Sequence, residues 1–287
     1  MSAQIALLPD GRLHLQHGPI DCLCRAWGDA REVRAAYAQA AASFPAILPA
    51  LCAELPRLRT PLPSLPPTGA VARAMHAAVA PYADQFITPM AAVAGAVADH
   101  VLAALTAGRR LARAFVNDGG DIAFHLASGE HLRCGLVADL AAPAIDGVLA
   151  LDAALPARGL ATSGRACKGS GGRSFSFGIA DAVTVLARTA AEADAAASIV
   201  ANAVDLPGHP SVIRGAACDI DPDSDLGDRP VTRHVGPLTA AEIAAALDRG
   251  AAVARGLRGA GRIAGAVLAL RGHFRVCGIE VAALEPP

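Results

Sequence analysis

The chain changes its hydrophobic period once, near Gly108, and that change restricts the folds open to it. Before it, Val93, Val97, Val101 and Leu105 fall at four-residue steps within Met90 to Thr106, the spacing that lines apolar side chains along one face of an α-helix. After it, Leu111 to Val116, Ile122 to Ala127, Leu132 to Ala138, Gly147 to Leu151, Ser174 to Ile179 and Val183 to Ala187 are short apolar runs separated by Gly, Asp or Ser. Such runs read as strands joined by turns. A block of strands between helices, without regular strand–helix–strand alternation, predicts an α+β fold with mixed or antiparallel sheets flanked by helices, and not a doubly wound parallel sheet.

The flanking segments fit that frame. Ile5 to Leu8, the Asp10-Gly11 turn and Leu13 to Gln16 form a hairpin, followed by a strand from Ile20 to Ala26. Ala30 to Ala42 is helical until Pro45 and Pro49 break or restart it. Residues 56–68 are proline-rich and predict an extended connection, and Thr68 to Ala80 resumes as a helix. Thr189 with Glu192, and Thr239 with Glu242, have capping-box spacing. They start helices at about 190–203 and from 239 to near Gly256. Ile263 to Leu270 and Phe274 to Ile279, joined by Arg271-Gly272, make a closing hairpin. No internal repeat is present, and 287 residues suffice for one domain over 1–287 with a sizeable core.

Charge and composition remove several functions. A formal net charge of −1 argues against a nucleic-acid binder, which needs a basic face to neutralise phosphates. Aromatics are only 3% of residues, so a planar ligand would be held by aliphatic walls and backbone. No uninterrupted apolar run reaches the roughly 18 residues of a membrane span, and Met1-Ser2-Ala3-Gln4 lacks the basic start of a secretory signal. The seven cysteines are an odd number in mostly apolar settings, which suits free thiols in the cytoplasm. Cys22 and Cys24 share one face of a strand, but their spacing is wrong for a zinc knuckle. Alanine-rich helices are compatible with a homodimer.

Three stretches carry side chains able to do chemistry. Asn117-Asp118-Gly119-Gly120-Asp121 joins two strands. Its glycines let backbone approach a ligand and offer it N–H groups, although the same residues also make an ordinary hairpin turn. Thr162-Ser163-Gly164 leads into a glycine-rich loop with Arg165, Lys168 and Arg173. That is the composition of an anion cradle for pyrophosphate or carboxylate, or of a surface loop with solvated charges. It is not a P-loop, because no Gly-Lys-Ser/Thr closes it. Asp194 and Ser198 stand four apart on one helix face and can offer two oxygen ligands to Mg²⁺, though such a pair commonly does no more than face water on the outside of a helix. The acidic run Asp219, Asp221, Asp223, Asp225 and Asp228 is a poor calcium loop: its Gly227 comes one place late, and Thr232 stands where a glutamate is required. His125 and His131 flank a turn and belong to no metal-binding pattern.

In this order the stretches resemble the FAD:protein FMN transferase (ApbE) superfamily. Ala94-Gly95-Ala96-Val97-Ala98-Asp99 is similar to the family's Lys-Gly-Tyr-Ala-Val-Asp-like helix. Asn117, Gly119, Gly120 and Asp121 match its Asn-x-Gly-Gly-Asp turn, and Thr162, Ser163 and Gly164 its Thr-Ser-Gly turn. Val183-Thr184-Val185 and the helix with Ala193-Asp194 and Ala197-Ser198 match its last strand and helix. The likeness covers about 86–204. Beyond it, residues 89–95, 176–185 and 224–228 resemble a shorter ApbE-like branch. The family's His-x-x-Asp-Pro segment is reduced here to Asp181, and its helix lysine is Ala94.

The resemblance implies an ApbE/flavin-transferase-like domain in which Asp194 and Ser198 hold Mg²⁺ together with a backbone carbonyl near Val93. It implies that FAD or another phosphate-bearing ligand contacts Asn117, Gly119, Gly120 and Asp121, and that Thr162, Ser163, Gly164, Lys168 and Arg173 form the cradle. Asp181 is the candidate general base. The activity implied is that of a transferase acting on a flavin nucleotide. The missing histidine and lysine leave two alternatives open: a cofactor-binding or maturation protein without flavin transfer, and an enzyme for an unrelated small acidic substrate.

Overall fold

The computed structural model describes residues 2–138, 144–165 and 175–282. Its strands in chain order are β1 (Gln4–Leu7), β2 (Leu13–His17), β3 (Ile20–Gly28), β4 (Leu111–Asp118), β5 (Asp121–Leu126), β6 (His131–Leu136), β7 (Gly147–Asp152), β8 (Gly159–Ser163), β9 (Ala182–Ala187), β10 (Val212–Ala216), β11 (Pro230–Val235), β12 (Gly265–Leu270), β13 (His273–Cys277) and β14 (Val281–Ala282). The α-helices are α1 (Ala30–Ser43), α2 (Ile47–Ala53), α3 (Leu55–Leu58), α4 (Ala70–Val79), α5 (Val93–Thr106), α6 (Ala190–Ala203) and α7 (Ala240–Gly259). The chain clusters into two compact units. One comprises Met1–Leu132, Leu151–Ala161 and Ala187–Ala195; the other comprises Arg133–Ala150, Thr162–Leu186 and Ala196–Pro287.

In the first unit the strands run β1-β2-β3-β4-β5-β8, with antiparallel neighbours throughout. Period-two alternation decides which side is buried. Leu13 and Leu15 on β2, Cys22, Cys24 and Ala26 on β3, and Ala114 and Val116 on β4 are at or below 8% exposure. Helix α5 lies against β4 and β5, with α1 and α4 beside it. Val97, Val101 and Leu105 of its apolar stripe are fully buried, whereas Val93 is only half-buried. Each such Val or Leu contributes about 1.5–3 kcal/mol through burial. Alanines at Ala36, Ala40, Ala96 and Ala98 fill the remaining inner positions, so helix and sheet approach closely.

In the second unit β9, β12 and β13 pair antiparallel, β10 pairs with β11, and β14-β7-β6 form a small sheet. β9 (AVTVLA) and β12 (GAVLAL) are buried at every position, as expected of continuous apolar runs covered on both faces. Helix α7 packs on β12 and β13 through Ile243, Ala246, Leu247, Ala251 and Ala254. Its start carries both halves of the capping box: Thr239 accepts from the Glu242 N–H, and Glu242 accepts from the Thr239 N–H at 2.7 Å. At α6 only one half forms, the Glu192 N–H donating to Thr189 Oγ1 at 3.2 Å, because the Glu192 carboxylate pairs with Arg188.

The α+β class with antiparallel sheets flanked by helices is therefore as the sequence predicts, and four local expectations are corrected. The expected strand at 174–179 is irregular from Phe175 onward, and residue 174 lies outside the described residues. There the Phe177 N–H donates to Asn202 Oδ1 at 3.0 Å and the Ile179 N–H to the Val204 carbonyl at 2.8 Å. The end of α6 thus takes the bonds that a strand ladder would have used. Thr162 and Ser163 end strand β8 instead of forming a turn, and the turn begins at Gly164. The proline-rich connection opens with a helical turn, α3, because Pro56 sits at the helix start where its missing N–H costs nothing. Strands β10, β11 and β14 were not read from the sequence. Helical stretches Ala30–Ala53 and Pro89–Thr106 have the length and mean hydropathy, 1.3 and 1.4, to cross a membrane. For the second, packing of α5 on β4 and β5 accounts for the apolar character.

Candidate functional site

Asp194 lies in the second turn of α6, and its carboxylate caps the start of α5. The Gly95 N–H donates to Asp194 Oδ2 at 3.1 Å, and the Ala94 N–H donates to the same carboxylate. Asp99 returns the contact, taking the Ala190 N–H on Oδ1 at 3.0 Å and the Ala191 N–H on Oδ2 at 2.9 Å. Each helix thus supplies the carboxylate that satisfies the other's free N–H groups, the arrangement favoured by the positive end of a helix dipole. Gly95 allows the contact: a Cβ there would stand 2.3 Å from the Ala190 carbonyl oxygen.

A third carboxylate belongs to the same unit. Asp118 ends β4 on its buried side, is 6% exposed, and accepts the Asp21 N–H at 3.2 Å. Burial, the largest cause in each case, raises Asp99 to about 6 and Asp118 to about 7. Burial also raises Asp194, and the charges of Asp118 and Asp99 raise it further. None of these carboxylates has an ion-pair partner among the described residues.

The Asn117–Asp121 segment is a tight hairpin with Gly119 at φ 65° and Gly120 at φ 110°. Asn117 Oδ1 accepts the Gly120 N–H at 2.8 Å, so the turn itself uses the amide expected to face a ligand. Asp121 pairs in register with Asp118 and is 9% exposed. Val93 is the first residue of α5, two positions before Gly95. Ser198 follows Asp194 by one turn of α6 and is half-buried. Among the described residues no group of three or more His, Cys, Asp or Glu side chains is arranged to hold a metal. A cation at Asp194 would therefore complete its shell from hydroxyl, backbone carbonyl, water and ligand oxygen. All of these are hard donors suited to Mg²⁺, so the residues fit that ion.

In the second unit Thr162 Oγ1 hydrogen-bonds Thr184 Oγ1 across the sheet at 2.8 Å. Gly164, at φ 133°, lies so close to the following strand that a Cβ would meet the Asp181 carbonyl oxygen at 2.5 Å. Asp181 Oδ2 accepts the Arg271 N–H at 2.5 Å, so the candidate base fixes the turn between β12 and β13. Ser163 is half-buried, and Lys168 and Arg173 lie outside the described residues. His125 is tied to the Leu111 carbonyl. Cys22 and Cys24 are buried free thiols whose pKa burial raises, which excludes an exposed thiolate. Asp99 and Arg165 enter the sequence reading only as a helix residue of the family-like run and as a loop charge, and Asp118 and Arg271 only as turn residues. Of these, Asp118 had a local signal for its burial, since strand alternation puts it on the buried side of β4.

The fold and this pair of mutually capped helices define the class, an α+β protein in which α6 presents a carboxylate and a hydroxyl one turn apart. A family model described as AbpE bacteria matches residues 5–276, and the chain belongs to that family. A UPF0280 protein of Methanothermobacter thermautotrophicus is 35% identical over 130 residues, covering 45% of this chain and 48% of that protein. The match therefore spans about half the length of that relative. The crystal structure of the Pseudomonas stutzeri flavinyl transferase ApbE in its apo form is also similar, at 13% identity and a TM-score of 0.42 over 96% of this chain and 94% of that one.

Proposed function

We propose that this protein is an Mg²⁺-dependent enzyme acting on a phosphate-bearing ligand, a flavin nucleotide being the ligand that the family resemblance implies. The observation that carries the reading is the group Asp99, Asp118 and Asp194: buried or half-buried carboxylates, all raised, with no cationic side chain paired to them among the described residues. Backbone N–H groups bond these carboxylates but carry no full charge, and a divalent cation would relieve the like-charge burial that remains. Asp194 and Ser198 would hold the ion, with the Val93 carbonyl from the start of α5. Bound there, Mg²⁺ supplies charge neutralisation of a pyrophosphate and of its leaving oxygen. The chain's own contribution is positional. Asp99 fixes the start of α6, and Gly95 brings α5 close enough to share Asp194.

A second reading, a cofactor-binding or maturation protein without transfer chemistry, is favoured by Asp181. Its carboxylate is engaged by the Arg271 N–H, so using it as a general base would release the β12–β13 turn. Thermal unfolding with FAD, FMN and ADP, each with and without Mg²⁺, tests the main reading. A ligand at about 100 times its dissociation constant adds about 2.7 kcal/mol of stability. An Mg²⁺-dependent rise with FAD, lost in Ser198→Ala and Asp194→Ala, is expected, and AMP release then separates enzyme from binding protein. Equal shifts with and without Mg²⁺ would overturn the metal assignment.

A further inference from the structure

Three chain segments of the second unit meet around Asp181, and each is fixed by backbone contacts. The Arg165 N–H donates to the Ala180 carbonyl at 2.9 Å, the Asp181 N–H to the Ala269 carbonyl at 2.9 Å, and the Arg271 N–H to Asp181 Oδ2 at 2.5 Å. Gly164 makes the approach close, because no side chain fits between it and the Asp181 backbone. This places one arginine on each side of Asp181.

The charges around that point do not balance. Two other arginines of the unit are paired with carboxylates, Arg214 with Asp205 and Arg275 with Asp248 at 2.8 Å. Arg165 is half-buried, yet its guanidinium has no hydrogen bond or ion pair among the described residues. Arg271, at φ 50°, is held by one end only, Nη2 donating to the Val235 carbonyl at 2.5 Å and the Gly236 carbonyl at 3.4 Å. That anchor leaves Nε and Nη1 to donate elsewhere. Asp181, the carboxylate between them, is already engaged by the turn.

We propose that Arg165 and Arg271 form an anion-binding pair that takes a phosphate or carboxylate group of the protein's ligand, as two guanidinium forks set about one fixed backbone junction. Their planar donors match such oxyanions better than an ammonium does. Burial lowers the Arg165 pKa, Asp181 opposes that, and Arg271 adds to it, as expected if the two guanidiniums share one region and an anion there would be welcome to both. The inference rests on the phosphate-ligand reading above and joins Arg271, from the distant β12–β13 turn, to Arg165 of the glycine-rich loop.

Calorimetric titration with inorganic pyrophosphate, phosphate and citrate, without Mg²⁺, tests it on the full chain. Arg165→Gln removes a guanidinium that makes no internal bond. Arg271→Asn keeps the backbone N–H to Asp181 in a residue that tolerates positive φ. Each is expected to weaken the preferred anion at least tenfold, Arg165→Gln with an unchanged unfolding midpoint and Arg271→Asn with a lowered one because its bonds to the Val235 and Gly236 carbonyls are lost, and Arg165→Lys to restore part of the binding loss. Tighter pyrophosphate than citrate identifies a phosphate ligand, and the reverse a carboxylate. The proposal is overturned if the wild type binds none of these anions, or if both variants bind within twofold of it. Arginine-dependent pyrophosphate binding without any flavin-nucleotide binding would keep this inference and remove the flavin reading. Mg²⁺-dependent FAD binding untouched by both variants would do the opposite.

Discussion

At the scale of single residues, the glycines of the two motifs do different work. Gly119 has φ 65° with open space around it, whereas Gly95 sits in a helix with a backbone carbonyl 2.3 Å from any Cβ. Alanine at 119 is expected to cost about 1 kcal/mol, from the left-handed backbone alone. Alanine at 95 is expected to cost about 2–3 kcal/mol despite alanine's better helix propensity, because α6 must move. Urea unfolding of both variants checks the order, and a smaller loss at 95 would remove the close-packing argument. Asp99 gives a pH prediction. Its folded pKa, about 6, lies above the ordinary 3.8, so the protonated form favours the fold. That contribution is complete below about pH 4 and is lost as pH rises through 6. Asp99→Asn should therefore flatten the pH dependence of unfolding free energy between pH 5 and pH 8 by about 1 kcal/mol. An unchanged slope would mean Asp99 keeps its ordinary acidity. The motif residues were legible because each is a local exception in type; what each touches was not, since Gly95 and Asp194 are 99 positions apart.

At the scale of elements, start signals were read well where they are local. The Thr239 box forms in full at α7, and Thr239→Ala should cost about 1 kcal/mol, measurable by chemical denaturation; no loss would show that tertiary packing alone holds that helix start. The box at Thr189 forms by half, and Asp99 from α5 accepts the Ala190 and Ala191 N–H groups that the local box does not reach. The irregular stretch from Phe175 fails as a strand for a related reason: Asn202 and the Val204 carbonyl, both distant in sequence, satisfy its N–H groups. Sequence periodicity reports side-chain faces. It does not report which partner will take a backbone N–H.

At the scale of the whole molecule, the proposed cation site would couple Mg²⁺ binding to pH through Asp194. A raised carboxylate holds its proton to higher pH, so protons compete with Mg²⁺ in acid. The Mg²⁺-dependent rise in unfolding midpoint is expected to be larger at pH 8 than at pH 5; a rise of equal size at both would place the cation elsewhere. What the sequence determined by itself was set by near neighbours. Period-two and four-residue hydrophobic patterns decided strands and helices, and Asn117-Asp118-Gly119-Gly120 and Arg271-Gly272 decided two hairpin turns, through steric rules acting over a few residues. The tertiary structure alone decided that Asp99 and Asp194 cap each other's helices, that Asp118 joins them in one unit, and that Arg165 and Arg271 flank Asp181. The two capping contacts and the Arg271–Asp181 contact join residues ninety or more positions apart and form only once the core has packed, so no local pattern could announce them.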